Sequence, residues 1–182
     1  MTEETPGQGL VEPRLVPHGR YEMVCTDSDG NILWEQEIEN LITTLGKNMM
    51  WNETLTGSAY TVVGPYMGLI SSASFSAVAI GDTMSSHAGW LEANATNAPP
   101  YGTTRPTVTY NAASGGAIVS NAATFVFTNG GTIQGAFQVT GAAATASNTG
   151  TVGTLFSAGT LAVPQPVVST NTVTVTWTGT LT

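Results

Sequence analysis

The stretch TVTVTWTGTL, residues 172–181, alternates hydroxyl-bearing with apolar side chains. In an extended chain Val173, Val175 and Trp177 fall on one side, and the threonines between them fall on the other. A period of two built from β-branched and aromatic residues is typical of an antiparallel strand with one buried face. The sequence therefore predicts a strand here and indicates a sheet that contains it.

The same alternation occurs near the amino end, in residues 21–26 and 32–39. Between these segments lies Asp27-Ser28-Asp29-Gly30-Asn31, whose Asp-Gly pair tolerates the positive φ of a tight turn. The pattern predicts a β-hairpin. The single cysteine, Cys25, falls on the apolar side of this hairpin, so it is predicted to be a small core residue.

One segment has helical spacing, and it is predicted to form a helix from Asn40 to Leu55. Its apolar residues recur every fourth position, at Leu41, Leu45 and Met49, with Ile42 alongside. Asn40 is expected to cap the start and Gly57 the end. Gly46 inside the helix costs about 1 kcal/mol relative to Ala, so packing on a sheet is expected to hold the helix in place.

The remaining sequence predicts strands and loops. The candidate strands are 60–63, 66–70, 75–80, 107–110, 117–120, 124–128, 132–140, 153–157, 160–163 and 172–181. Asn129-Gly130-Gly131 is predicted to close a second hairpin between 125–127 and 133–137. Short strands separated by Gly, Asn and Pro predict a mainly all-β fold, a jelly-roll-like antiparallel β-sandwich with one short helix.

The length of 182 residues fits a single β-sandwich domain, predicted over residues 20–182. Residues 1–19 are rich in Pro and Gly and have no apolar period, which predicts an extended N-terminal arm. No apolar run is long enough to span a membrane, and no secretory signal is recognisable. Synthesis in a cytoplasm is the expectation.

Only 9% of the residues are charged, and the net charge is −8. Beyond Glu92 the one ionised side chain is Arg105. An acidic chain with four basic side chains cannot neutralise a phosphate backbone, and it is repelled by anionic lipid headgroups. We therefore expect neither a nucleic-acid partner nor a membrane partner.

Residues that could carry chemistry are few and scattered. Asp27 and Asp29 resemble the start of a calcium loop, but Ile38 stands where the bidentate Glu would be required, so a turn is favoured. His87 is predicted to be a hydrogen-bonded loop residue, because no second His lies near it in sequence. No nucleophile elbow, phosphate-binding loop or zinc-protease motif is present, so neither an enzyme nor a metal or other cofactor is expected.

The surroundings of Arg105 and of the four tryptophans can also be predicted. Arg105 stands alone in a neutral half, and we expect it to pair with Glu92, with a carboxylate of a neighbouring subunit, or with solvent. The four tryptophans are spread along the chain, which favours core packing over a sugar-binding platform. They are Trp34, Trp51, Trp90 and Trp177.

The order of segments resembles that of small virion proteins of tailed bacteriophages. The resemblance covers about residues 20–182. It is carried by NLIT (40–43) running into a short helix, YMGLI (66–70), IGDTM (80–84) with His87 to Glu92, Arg105-Pro106, GAF (135–137), TLFS (154–157) and the Thr-rich last strand. Within that class it is most similar to head decoration, or cement, proteins. Such proteins are commonly trimeric and sit over capsid junctions, which implies a virion location on the capsid surface.

The resemblance implies a homotrimer that binds the major capsid protein. The residues expected to make subunit or capsid contacts are Glu3, Glu4, Glu12, Arg14 and Arg105. Three alternatives stay open: a tail, neck or fibre-base subunit, a carbohydrate-binding jelly roll that attaches the particle to a host, and, as the weakest, a depolymerase. The last would need paired carboxylates, which the sequence lacks beyond Glu92.

Overall fold

The computed structural model describes residues 16–56 and 63–181. Within these ranges the chain forms nine strands and one helix. In chain order they are β1 (Pro17–Thr26), β2 (Ile32–Ile42), α1 (Thr44–Leu55), β3 (Tyr66–Ser71), β4 (Leu91–Glu92), β5 (Ala117–Val119), β6 (Ala123–Val126), β7 (Gly131–Thr140), β8 (Thr154–Val167) and β9 (Thr172–Leu181).

All strands pair antiparallel in one continuous sheet, in the order β4-β3-β7-β8-β2-β1-β9-β5, and β6 also pairs with β9. The first and last strands are neighbours over their whole length, from Pro17 opposite Leu181 to Thr26 opposite Thr172. On its other edge β9 pairs with β5 and then with β6. The predicted strand 172–181 is therefore confirmed, and it is paired along both of its edges.

The sheet curls so that its two ends face each other. Met67 and Leu69 of β3 belong to the same buried cluster as Val173 and Val175 of β9, although four strands separate β3 from β9 in the sheet order. Side chains of distant strands meet in this way only when two sheet faces pack together. The predicted all-β sandwich class is confirmed.

The first hairpin is confirmed, because β1 and β2 pair around the turn at 27–31. Tyr21, Met23 and Cys25 are fully buried, as the alternation predicts. Burial raises the pKa of the Cys25 thiol to about 11, so the thiol is protonated at neutral pH. Cys25 is a core residue.

The second predicted hairpin is wrong. β6 pairs with β9, whereas β7 pairs with β3 and β8. The Asn129-Gly130 turn carries the chain from one half of the sandwich to the other rather than back along the same strand. Turn residues are similar in both kinds of connection, so the local sequence does not distinguish them.

Some strand boundaries also differ from prediction. Residues 75–80 form no strand, and Thr107 and Tyr110 make only isolated bridges. The two segments 153–157 and 160–163 are parts of the single strand β8. Of the candidate 60–63, only Val63 is described, and it is not in a strand.

The helix begins four residues later than predicted. Asn40, Leu41 and Ile42 are the last residues of β2, and the cap is Thr43, whose Oγ1 accepts a hydrogen bond from the Gly46 amide at 3.0 Å. The predicted Asn40 cap is therefore wrong, and the predicted Gly57 cap lies outside the described residues. A Cβ at Gly46 would lie 2.4 Å from the Phe156 carbonyl oxygen, so the glycine permits close contact between α1 and β8.

The predicted arm is too long at its carboxyl end. Residues 17–19 belong to β1 and pair with β9, where they stand opposite Leu181, Thr180 and Gly179. His18 consequently lies in the sheet rather than in an arm. Residues 1–15 are outside the described residues.

We expect Gly135→Ala to destabilise the protein and Gly81→Ala to leave it nearly unchanged. A Cβ at Gly135 would meet the Gly159 carbonyl oxygen at 2.0 Å, whereas a Cβ at Gly81 meets nothing within 4 Å. The first substitution should lower the free energy of unfolding by about 1 to 3 kcal/mol, and the second should change it by less than about 0.5 kcal/mol. Urea denaturation of both variants measures this, and equal midpoints would contradict the described β7–β8 packing.

Candidate functional site

The sheet has an outer face that follows directly from the register of β2, β1, β9 and the short strands β5 and β6. Because residues opposite each other in a ladder point the same way, four rows of side chains lie across this face. The β9 residues are Thr172, Thr174, Thr176 and Thr178, and the β1 residues are Arg20, Glu22, Val24 and Thr26. The flanking residues are Ile32, Glu35, Glu37, Glu39, Val119, Thr124 and Val126.

This outer face is divided into two kinds of surface. Its β9 side is neutral and carries threonines, with Val126 53% exposed beside them. Its β2 side is acidic, with four carboxylates against the single guanidinium of Arg20. Glu22 and Glu37 stand directly opposite each other, and Arg20 contacts both, at 2.5 and 3.4 Å.

Arg105 lies in the interior and is paired with Glu92, as one of the sequence expectations had it. Its Nε donates to Oε1 of Glu92 at 2.8 Å, and its second terminal nitrogen donates to Oε2 at 2.6 Å. The guanidinium also donates to the carbonyl oxygens of Thr145 and Gly150. Arg105 thus joins the loop after β7 to the segment after β4.

The Arg105 side chain is fully buried, so the expectation that it contacts another subunit or the capsid is wrong. Burial raises the pKa of Glu92, and the hydrogen bonds and charge of Arg105 act against that rise. Tyr101 donates a further hydrogen bond to Oε1 of Glu92 at 2.9 Å. The other predicted contact residues, Glu3, Glu4, Glu12 and Arg14, lie outside the described residues.

The segment 27–31 is a turn, as favoured over a calcium loop. Oδ1 of Asp27 accepts hydrogen bonds from the amides of Asp29 and Asn31, both at 2.9 Å, and Oδ2 accepts one from the Asn31 side chain. These hydrogen bonds, with those from Asn31 first, lower the pKa of Asp27. Both carboxylate oxygens are therefore used by the turn itself.

His87 is a loop residue with structural contacts. Its Nδ1 lies 2.9 Å from the Trp90 carbonyl oxygen, and its ring stacks on the Trp90 indole with centroids 3.9 Å apart. The indole donates to Asp82 at 2.9 Å. In the part of the chain that the structure describes, no three His, Cys, Asp or Glu side chains come close enough to hold a metal ion.

The tryptophans do not all pack in the core. Trp90 and Trp177 are buried, and Trp34 is half-buried. Trp51 on α1 is 57% exposed, and Leu55 one turn later is 72% exposed. The prediction of core packing is therefore wrong for Trp51, because the helix buries only Gly46.

An apolar cavity of about 520 Å³ opens between α1, the start of β1 and the end of β9. Its walls include Met49, Met50, Phe156, Trp177 and Leu181. The Tyr110 and Phe156 rings meet the Trp177 indole edge-on, with centroids 6.0 and 5.7 Å away. The polar side chains at this cavity are few, and Gln138 is one of them.

Gln138 is the unusual residue of the cavity. It lies on β7 and is 1% exposed, and its Oε1 accepts a hydrogen bond from the Tyr110 hydroxyl. Its Nε2 has no hydrogen-bond partner, and it is the single such buried side-chain atom among residues 16–56 and 63–181. A buried amide without a hydrogen-bond partner lowers stability by about 1 to 3 kcal/mol. A ligand that accepted a hydrogen bond from Nε2 would remove this cost.

The cavity escaped prediction because its residues are far apart in sequence. The one signal in the sequence is Gln138, which occupies an interior position of a predicted strand. A polar residue within a buried strand needs a hydrogen-bond partner. Tyr110 and Trp177 come from other segments altogether. Only the curl of the sheet brings the three together.

Comparison with protein-family models, with curated proteins and with solved structures found no match to this chain. No relative therefore assigns a role to any residue. Among the described residues no helix is both long enough and apolar enough to cross a membrane.

We expect Arg105→Met to lower the free energy of unfolding by about 3 to 5 kcal/mol, because it leaves the Glu92 carboxylate buried without its partner. Arg20→Met is the matched control. It removes the same charge from an exposed pair, so it should cost no more than about 1 kcal/mol. Chemical denaturation of both variants is the measurement.

A third variant separates charge from shape. Glu92→Gln introduced together with Arg105→Met removes the uncompensated charge and should recover part of the loss. If Arg105→Met and Arg20→Met were equally mild, the buried pair would not hold the two loops.

Proposed function

We propose that this protein is a decoration, or cement, protein of a tailed-bacteriophage capsid, which stabilises the shell by bridging subunits of the major capsid protein. The observation that carries the proposal is the outer face, a broad sheet surface that is neutral on one side and acidic on the other. The sequence resemblance to virion proteins supports the same class. No catalytic residue is required for this role.

The neutral side of the outer face suits burial against another protein. Hydroxyl and β-branched side chains lose little conformational entropy when they are covered, and they carry no charge that must be desolvated. Cores of protein interfaces are similarly depleted in charge, with a polar rim around them. Val126, which is more than half exposed, extends this side with apolar surface.

The acidic side of the outer face would orient a partner protein as it binds. Glu35, Glu37 and Glu39 are exposed along one edge strand segment, and a basic patch on the partner would be attracted to them. Such attraction sets orientation and association rate more than total affinity. A shell is stabilised by linkage when the protein binds the assembled state and not the dispersed subunits.

Helix α1 is a second candidate contact. A helix of 12 residues is marginal on its own in water, and this one buries a single residue. Its exposed Trp51 and Leu55 lie one turn apart, on the same side of the helix. Coverage by another subunit would bury both side chains.

A tail, neck or fibre-base subunit would use the same kinds of surface, so ring-shaped stoichiometry in electron micrographs is the observation that distinguishes it. A carbohydrate-binding role is less well supported. It would need an exposed aromatic side chain among Asn and Asp groups, whereas the exposed Trp51 has the apolar Leu55 as its neighbour on the next turn.

We expect Glu39→Lys to weaken attachment to capsids at low ionic strength, because it reverses a charge on the acidic side of the outer face. A loss of about fivefold corresponds to about 1 kcal/mol for one partly screened charge. Asp29→Lys in the exposed 27–31 turn makes the same change of net charge outside the four rows of that face and away from α1. Capsids that lack the protein, prepared from the phage that encodes it, provide the binding assay.

Raising the salt concentration should remove the difference between Glu39→Lys and the unmodified protein. If Asp29→Lys weakened attachment as strongly as Glu39→Lys, net charge rather than the outer face would be responsible. Wild-type protein that did not bind these capsids at all would overturn the proposed function.

We expect the purified protein to be a homotrimer and residues 1–15 to contribute to attachment. Light scattering measures the first, and deletion of residues 1–15 tests the second. The deletion leaves β1 intact, so the domain should fold and trimerise while its capsid affinity falls. A monomer that binds capsids equally well without these residues would refute both expectations.

A further inference from the structure

We propose that the apolar cavity binds an uncharged apolar small molecule that carries a hydrogen-bond acceptor, such as the carbonyl oxygen of a ketone or an ester. This inference concerns the inner side of β9 and does not depend on the proposed capsid role.

The size and walls of the cavity fit a ligand of this kind. Its volume of about 520 Å³ lies within the range of roughly 300 to 1,000 Å³ found for small-molecule pockets. Trp177, Phe156 and Tyr110 provide an aromatic wall with edge-on contacts. Met49 and Met50 of α1 also line the cavity, and their unbranched side chains can rearrange around a ligand.

The hydrogen bonds within the cavity wall indicate which ligand group the cavity would bind. The Tyr110 hydroxyl is used by Oε1 of Gln138, and Nε1 of Trp177 donates to Asn40 at 3.2 Å. Nε2 of Gln138 remains without a partner among the described residues. A ligand oxygen that accepts from this amide would satisfy the group, whereas a pure hydrocarbon would not.

The charges at the cavity argue for a neutral ligand. No Lys or Arg is among the described residues that line it. The imidazole of His18 lies at the lining but is exposed to solvent, and Glu53 contributes a carboxylate. A buried anion without a cationic partner is strongly disfavoured, and the glutamate adds repulsion. A carboxylate ligand should therefore bind less well than a neutral carbonyl compound of the same shape.

Three naphthalenes of similar size test these statements with the full-length protein. They are 2-acetylnaphthalene, which offers a neutral acceptor, 2-ethylnaphthalene, which lacks one, and 2-naphthoate, which is anionic. Isothermal titration calorimetry should rank the ketone first, about tenfold tighter than the hydrocarbon, and the anion last. Addition of the ketone should also shift the side-chain amide resonances of Gln138 in a ¹⁵N spectrum.

Two variants locate the site. Gln138→Leu should lower affinity for the ketone to that of the hydrocarbon, without weakening the hydrocarbon. Ala113→Trp places an indole at an exposed position on the cavity lining and should reduce binding of both, whereas Ala73→Trp, on an exposed loop elsewhere, should change neither. The wild-type ranking and the Gln138 resonances remain decisive if a variant fails to fold.

Several outcomes would overturn the inference. These are no binding of the ketone up to its solubility, equal or tighter binding of the naphthoate, and ketone binding that Ala113→Trp leaves unchanged. A fourth is dissociation of an oligomer by the ketone in sedimentation, which would assign the cavity to contact with a second copy of the chain.

Discussion

The pairing of β9 along both of its edges is the constraint on which the sheet depends. β1 covers one edge over ten residue pairs, and β5 and β6 share the other. Hydrogen bonds to both sides leave no open edge along most of this strand, and an open edge would invite pairing with other chains. Because Pro17 of β1 stands opposite Leu181 of β9, the amino end of the first described segment and the carboxyl end of the last lie side by side in the sheet.

The alternation of β9 also separates two surfaces. Its threonines point to the outer face, while Trp177 on the opposite side forms part of the cavity wall. A protein partner on the outer face and a small molecule in the cavity would therefore contact opposite sides of one strand. Neither would obstruct the other directly, since the strand itself lies between them.

In a chain with so few charges, the described residues include one buried ion pair, Arg105 with Glu92. Burying Arg105 and Glu92 is expensive unless each charge is compensated by hydrogen bonds. Here the carboxylate receives bonds from Arg105 and Tyr101, and the guanidinium reaches two backbone carbonyl oxygens of the loop after β7. The pair joins two long loops that contain no strand of their own, and the side-chain amides of Asn94 and Asn148 donate further hydrogen bonds between the same loops.

The sequence by itself determined the elements whose signal is local. The strict alternation at 172–181, the hairpin around Asp27–Asn31 and the buried side of Cys25 follow from a period of two and from turn chemistry, both of which act over a few residues. The helix was found for the same reason. Its start was misplaced because Leu41 and Ile42 fit both a helical stripe and the end of β2, and only the pairing of β2 with Gly159, Ala158 and Ser157 decides between them.

The tertiary structure alone decided which strands pair, where Arg105 lies and what surrounds Gln138. Asn129-Gly130 is compatible with a hairpin or with a crossing between sheet halves, because the backbone of a turn does not encode its destination. Arg105 had three possible partners in the sequence, and burial beside Glu92 selected one. The cavity needs Tyr110, Gln138 and Trp177 to converge from segments dozens of residues apart, and no local pattern records a convergence that only the curling of the sheet produces.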